Sequence, residues 1–186
     1  MKKSALTILF IIVIGTAVQA QEKQIWAKSI SGQPAPALVV EKWLTPQPDT
    51  DGKFVIVDFW ATWCSPCRVA IGELDKFHDE FGDKLVIIGI SDESEADVRN
   101  MTDPKINYSV AIDTEGRTKK DLQVTGIPHV LVIDPKGIVR WEGFPLLNGF
   151  ELTDRVLKNL FAKYGDTSGT DSFQTVLEKP DQAASQ

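Results

Sequence analysis

Two cysteines separated by two residues are the chemically most reactive feature of this sequence. Cys64 and Cys67 are the only cysteines among its 186 residues, and a Ser-Pro dipeptide lies between them. As a structural disulfide the pair would close a loop of about four residues and add only about 2 kcal/mol of stability. A zinc site needs about four ligands, and the other candidate ligands, His78 and His129, are far apart in sequence. The spacing therefore favours a redox pair and predicts no metal site.

The redox pair lies where a predicted strand runs into a predicted helix. Residues 53–60 (KFVIVDFW) form a near-continuous apolar run, which is typical of a strand buried on both faces. From Pro66 to Phe81 apolar residues recur at helical spacing until Gly82. Cys64 is then at a helix N-terminus, where unpaired N–H groups and the helix dipole stabilise a thiolate. We therefore expect Cys64 to be the attacking thiol.

The rest of the chain alternates between strand and helix patterns. An added N-terminal strand is predicted over residues 37–44. Further strands are predicted at 85–90, 108–112, 130–133 and 138–141, and helices at 94–101, 117–122 and 151–164. The last two strands flank DPKG, a hairpin turn signal. The pattern predicts an α/β fold with a mixed central sheet flanked by helices.

Two motifs resemble those of a known superfamily. VDFWATWCSPC is similar to the active-site segment of the thioredoxin superfamily, and GIPHVLVID, at 126–134, resembles the stretch that carries its cis-proline, here Pro128. An extra segment between the motifs, together with an export signal, resembles the secreted TlpA/ResA-like thiol–disulfide oxidoreductases over about residues 34–164. The resemblance implies a thioredoxin fold with an added N-terminal strand and a central insert.

The resemblance also implies roles for individual residues. Cys64 would be the exposed nucleophile and Cys67 the buried resolving thiol. The backbone of Ile127, before Pro128, would pair with an extended client strand, and Pro66 would border the same surface. Partners would be client protein thiols and disulfides, together with a membrane electron donor of the DsbD type. No cofactor is expected beyond the redox-active disulfide itself.

Three neighbours of the motifs are further candidate site residues. Asp58 matches the buried acid of thioredoxin, and its apolar strand predicts a buried carboxyl whose pKa rises far enough to accept a proton from Cys67. Trp63, next to Cys64, is expected to shape the client surface. His129, after Pro128, is a possible titrating neighbour without an assigned role.

Departures from the family pattern leave the substrate and the class of reaction open. Ala70 stands where members that reduce apocytochrome c often carry a glutamate. The Ser-Pro dipeptide favours a reductant or isomerase. One alternative is a peroxiredoxin-like peroxidase, although Ala61 and Val57 replace the threonine and proline of its P-x-x-x-T-x-x-C motif. The other is a non-catalytic thioredoxin-like binding module, which would usually lose one or both cysteines.

The N-terminal residues predict where the protein works, and the net charge indicates which partners are disfavoured. Residues 1–20 have the basic start, apolar run and small residues of a signal peptide cleaved after Ala20. Their apolar stretch is too short for a membrane anchor, so we expect no membrane span after cleavage and a periplasmic or other extracytoplasmic location. Residues 21–33 are predicted to be a linker, 34–164 the folded domain and 165–186 a disordered polar tail. Without Lys2 and Lys3, 18 basic residues face 26 acidic ones, a net charge of -8 that disfavours nucleic acid as a partner.

Overall fold

The computed structural model of the protein describes residues 23–165 and the short strand 177–178. The strands are β1 Leu38–Val39, β2 Lys42–Trp43, β3 Phe54–Trp60, β4 Leu85–Ser91, β5 Ser109–Ile112, β6 His129–Ile133, β7 Val139–Gly143 and β8 Leu177–Glu178. The helices are α1 Ser65–Phe81, α2 Glu95–Asn100, α3 Arg117–Asp121 and α4 Asp154–Tyr164. Each long predicted element is therefore present, with ends that differ by at most three residues.

The main sheet has six strands in the order β2-β5-β4-β3-β6-β7. β3 pairs in parallel with β4, and β4 in parallel with β5, whereas β6, β7 and β2 join antiparallel to their neighbours. All seven residues of β3 are buried, which explains why its sequence is apolar without alternation. The predicted mixed sheet flanked by helices is confirmed.

Apolar clusters cover the two faces of the sheet. One cluster joins alternate residues of β3, including Ile56 and Trp60, to the buried stripe of α1 and to Leu157 of α4. The other joins Val57 and Phe59 of β3 to the residues that follow α3 and to the N-terminal segment. Because successive strand side chains point to opposite faces, Asp58 faces the side covered by α1.

The N-terminal part differs from the sequence-based expectation in two ways. Residues 23–33, predicted to be a linker, pack on the domain: the Lys28 N–H donates to the Leu122 carbonyl at 2.8 Å, and Ile30 is buried. The strand predicted over 37–44 is instead two short strands separated by Val40 and Glu41, and the Glu41 carboxylate accepts the Thr114 N–H at 2.9 Å. β2 extends the main sheet, whereas β1 forms a separate two-stranded sheet with β8.

The ends of the chain are described only in part. Leu177–Glu178 forms a strand parallel to β1, within the segment predicted to be a disordered tail. The predicted signal peptide, residues 1–20, lies outside the described residues and stays a prediction, as does the remainder of the predicted tail. Within the described part of the chain, no helix combines the length and the apolar character needed to cross a membrane.

Candidate redox site

Cys64 and Cys67 form a disulfide at the N-terminus of α1. Cys64 is the N-cap residue of the helix, and its sulfur accepts a hydrogen bond from the Cys67 N–H at 3.2 Å. Pro66 occupies the first turn, where a missing N–H breaks no helical hydrogen bond. The helix therefore presents its free N–H groups and positive dipole end to the Cys64 sulfur, which stabilises negative charge on it.

The two cysteines are both buried in this oxidised form. Cys67 is 0% exposed, as predicted for a resolving thiol, and Cys64 is only 4% exposed. The expectation of an exposed Cys64 is therefore corrected for the disulfide state. Its sulfur is joined to that of Cys67 and lies 3.7 Å from the carbonyl oxygen of Ile127, so both neighbours cover it.

The segment before β6 forms the second wall of the site. The Ile127–Pro128 peptide bond is cis, as the resemblance implies. Pro128 is buried and Ile127 half-buried, with its carbonyl beside the Cys64 sulfur. The structure thus brings together two motifs that lie about sixty residues apart in sequence.

Asp58 is a fully buried carboxyl group on the face of the sheet that α1 covers. It is 0% exposed, and its side chain faces the apolar cluster that contains Cys67. Burial raises the pKa of Asp58 from its ordinary value of 3.8 to about 7, and a hydrogen bond from Tyr108 to Oδ2 opposes that rise. A carboxyl group with a pKa near neutrality can take up and release protons at physiological pH.

The remaining predicted site residues differ in exposure. Trp63 is 72% exposed, an unusually open position for a tryptophan, and Pro66 is exposed as well. Ala70 is fully buried in α1. His129 is 2% exposed and packs against Phe59 on the face of the sheet opposite to α1. Burial lowers the pKa of His129 to about 4, so its ring is neutral at physiological pH.

Two polar residues of this region were not identified from the sequence. Tyr108, 2% exposed, donates to Asp58, and no local pattern indicates that contact. Glu93 accepts both the N–H and the hydroxyl of Thr62 at 2.6 Å and the hydroxyl of Ser91 at 3.0 Å. It thereby fixes the loop that leads into Trp63. Its position just after β4 was a usable signal, because ligand-facing residues of parallel sheets cluster at the carboxyl ends of strands.

The sequence analysis predicted that the cysteine pair forms no metal site. Among residues 23–165, no group of three or more His, Cys, Asp or Glu side chains is arranged to hold a metal ion.

Comparisons with known proteins agree with this geometry. A family model described as the AhpC/TSA family matches residues 32–142. Thioredoxin-like protein YneN of Bacillus subtilis (strain 168) is 33% identical over 97 residues, which cover 50% of this chain and 56% of YneN. Thiol:disulfide interchange protein DsbE of Yersinia pestis is 26% identical over 170 residues, which cover 86% of this chain and 87% of DsbE.

A solved structure gives the same result. The thioredoxin domain of a thiol-disulfide oxidoreductase from Bacteroides vulgatus superposes on this chain with a TM-score of 0.58 at 26% identity. The matched region covers 73% of this chain and 98% of that domain. The fold and the cysteine pair define a protein of the thioredoxin superfamily, similar to the TlpA/ResA-like proteins. The chain belongs to the AhpC/TSA family.

Proposed function

We propose that this protein is an extracytoplasmic thiol–disulfide oxidoreductase that reduces disulfides of client proteins. The observation that carries the proposal is the Cys64–Cys67 disulfide at the N-terminus of α1, with the Ile127 carbonyl 3.7 Å from the Cys64 sulfur. Relatives named thiol:disulfide interchange protein support the same chemistry. Structural staples of this loop size contribute little stability, so a redox role explains the pair better.

In the first step, the Cys64 thiolate attacks one sulfur of a client disulfide. A mixed disulfide forms between Cys64 and the client, and the other client sulfur leaves as a thiolate that takes up a proton. The helix N-terminus lowers the free energy of the attacking thiolate through the hydrogen bond from the Cys67 N–H. We assign this role to Cys64 because Cys67 lies one turn inside the helix, with no exposed surface.

In the second step, Cys67 resolves the mixed disulfide. Its thiol first loses a proton, which the Asp58 carboxylate accepts, and its sulfur then attacks Cys64. The second client thiolate leaves and takes up a proton, so two electrons have passed from the protein to the client. A buried thiol is a poor acid, which makes a nearby proton acceptor necessary. A carboxyl group with a pKa of about 7 suits that task.

The client is held beside the disulfide by exposed apolar and backbone groups. Trp63, 72% exposed, offers a large contact surface next to Cys64, and exposed Pro66 extends it. The backbone of Ile127 pairs with an extended client segment, as an added strand pairs with a sheet edge. Buried Pro128 forms the base of this groove.

The direction and location of the reaction rest on the sequence. The Ser-Pro dipeptide and the predicted signal peptide favour a reductant that works outside the cytoplasm. There an oxidised Cys64–Cys67 pair needs a reductant, and we propose a membrane donor of the DsbD type. No bound cofactor is required, because the reduced Cys64–Cys67 dithiol itself carries the two electrons.

Peroxide reduction is the second candidate, since the family description includes AhpC. The observation against it is Ala61, buried and without a hydroxyl group, at the position of the peroxidase threonine. The hydroxyl of the adjacent Thr62 is already donated to Glu93 at 2.6 Å. A peroxidase assay with reduced protein distinguishes the two functions. The third candidate, a non-catalytic binding module, is disfavoured by the paired cysteines and the buried acid.

The decisive experiment traps the client on a Cys67→Ser variant expressed in its own host. Without the resolving thiol, the mixed disulfide on Cys64 should accumulate. Cys64→Ser is the matched control, and the double variant sets the background. Recovery of apocytochromes would define a maturation role despite Ala70, and a broad set of exported proteins would define a general reductase. Recovery of no more partner than on Cys64→Ser would reject the proposed function.

A further inference from the structure

Tyr108 is a buried hydroxyl group in direct contact with the proposed proton acceptor. It immediately precedes β5 and is 2% exposed. Its hydroxyl donates to Asp58 Oδ2 at 3.3 Å, and the other carboxylate oxygen, Oδ1, has no hydrogen-bond partner among the described residues. Tyr108 is therefore the one hydrogen-bond donor that the described structure offers to this carboxylate.

The neighbouring strand is shaped to admit the Tyr108 ring. Gly89 of β4 is the register partner of Asp58 on β3. A Cβ atom at Gly89 would lie 3.0 Å from Cε2 of Tyr108 and 2.9 Å from Nε1 of Trp60. The contact with Trp60 is closer than real Cβ atoms essentially ever come, and the contact with Tyr108 is tighter than nine in ten of them, so a side chain here would require a shift of the neighbouring rings. The glycine thus lets the phenol lie over the sheet beside the carboxyl group.

The segment that carries Tyr108 is also attached to the helix that carries Cys67. The guanidinium of Arg68 donates to the Asp103 carbonyl at 2.6 Å and lies 3.5 Å from the Asp103 carboxylate. Asp75, also on α1, accepts the Asn107 N–H at 3.0 Å. Both contacts are exposed, so each is individually weak. Together they bracket the segment before Tyr108 against the same face of α1.

Two opposing effects act on the Asp58 carboxyl group. Removal from water disfavours the ionised form, and a hydrogen bond to the carboxylate favours it. Burial is the larger effect and raises the pKa of Asp58 to about 7, while the Tyr108 hydroxyl acts in the opposite direction. Without that hydroxyl, burial would act alone and Asp58 would be mostly protonated at neutral pH. A protonated carboxyl group cannot accept the proton of Cys67.

We infer that Tyr108 is a positioning residue whose hydroxyl keeps Asp58 in its proton-accepting form for the resolving step. The inference rests on the proposed role of Asp58 in thiol–disulfide exchange. Tyr108 exchanges no proton itself: the proton passes from the Cys67 thiol to the Asp58 carboxylate. Burial and the Asp58 charge raise the pKa of Tyr108 well above its ordinary value, so the phenol stays a hydrogen-bond donor throughout the working pH range.

The groups that surround Asp58 determine which titrations can influence its pKa. Its partners on β4 and β6 are Gly89 and Val130, neither of which titrates. α1 contributes Cys67 to the same cluster, and its Asp75 raises the pKa of Tyr108. The pH dependence of the pair is therefore expected to follow Asp58 once Cys67 is held in the disulfide.

The first test measures the Asp58 carboxyl group directly in the oxidised protein. Aspartate carrying a carbon-13 label in its side-chain carboxyl is followed by NMR across pH, and the Asp58 signal is identified by its loss in Asp58→Asn. Tyr108→Phe removes only the hydroxyl, and Tyr164→Phe, a half-buried tyrosine of α4, is the matched control. The pKa of Asp58 should rise by about one unit in Tyr108→Phe, since a hydrogen bond to a charged group has about that strength. An unchanged or lower pKa in Tyr108→Phe would overturn the inference, and the same spectra show whether the variant is folded.

The second test follows the resolving step. Reduced protein is mixed with an aromatic disulfide, and two releases of the aromatic thiol report the attack by Cys64 and the resolution by Cys67. In Tyr108→Phe the second release should slow about fivefold near pH 7 and approach the wild-type rate near pH 9, since a one-unit rise lowers the ionised fraction of Asp58 by about that factor. The first release should keep its wild-type rate.

The outcomes separate the inference from the proposed function. A shifted Asp58 titration with an unshifted second release would overturn the inference, because Asp58 would not be the proton acceptor. A wild-type protein that reduces no protein disulfide would reject the proposed function, while the NMR titration would still report the contact between Tyr108 and Asp58.

Discussion

Replacing Asp58 with asparagine is expected to change how the stability of the oxidised protein depends on pH. The substitution keeps the size of the side chain and removes the group that titrates. In the wild type, Asp58 is fully buried, and burial raises its pKa from 3.8 to about 7. Between these two pH values, the folded protein therefore binds a proton that the unfolded chain has already released.

The size of the effect follows from the two pKa values. Because the folded state binds more protons in this window, the free energy of unfolding falls as pH rises from about 4 to about 7, and the loss ends above the folded pKa. The whole window corresponds to about 4 kcal/mol, and the part between about pH 5 and pH 8 to about 2 to 3 kcal/mol. Since Asp58 has no exposed surface, this value needs no reduction for screening by solvent.

Urea unfolding of the oxidised proteins at several pH values measures the effect. The stability of Asp58→Asn relative to wild type should increase by about 2 to 3 kcal/mol between about pH 5 and pH 8, because other titrating groups cancel in the difference. Asp83→Asn, at an exposed aspartate after α1, should run parallel to wild type. A difference between Asp58→Asn and wild type that is constant across pH would refute the assignment of a raised pKa to this carboxyl group.

Three further predictions concern the surroundings of the disulfide. After reduction, alkylation followed by mass mapping should modify Cys64 before Cys67 at neutral pH; the reverse order would contradict the assignment of the nucleophile. Glu93→Gln should lower the free energy of unfolding by about 1 to 2 kcal/mol, since it weakens charge-assisted hydrogen bonds from Thr62; urea melts equal to wild type would remove Glu93 from the loop's support. Trp63→Ala should leave stability within about 0.5 kcal/mol, because the side chain is 72% exposed. It should also raise KM for a protein disulfide and not for a small one, and an equal loss on both would argue against a role in client contact.

Local patterns were sufficient for the elements and for the reactive pair. β3 and α1 were predictable because their signals, an unbroken apolar run and a helical stripe that starts at a proline, lie within a few turns of chain. The same elements carry Asp58 and Cys64, so the order of strand, cysteine and helix was readable without the fold. The resemblance of two motifs supplied the superfamily, which the structure and the comparisons confirm.

Exposure and long-range contact depended on packing instead. The sequence predicted an exposed Cys64, but the sulfur is covered by Cys67 and by a carbonyl group from Ile127, 63 residues away. Polar composition suggested a linker over residues 21–33, whereas residues 23–33 form backbone hydrogen bonds with the residue after α3 and with β7. Neither outcome has a local signal, because both depend on which surfaces the finished sheet offers.

The contact between Tyr108 and Asp58 shows most clearly what could not be predicted from the sequence. The sequence by itself determined that a carboxyl group would lie in a buried strand, and hence that its pKa would rise. It did not determine how far, since the opposing hydrogen bond comes from a residue 50 positions away. That donor is brought into reach by the pairing of β3 with β4 and of β4 with β5, and by a glycine at the one register position that leaves room for its ring. Strand register is a property of the whole sheet, so only the tertiary structure decided which donor opposes the rise in the pKa of Asp58.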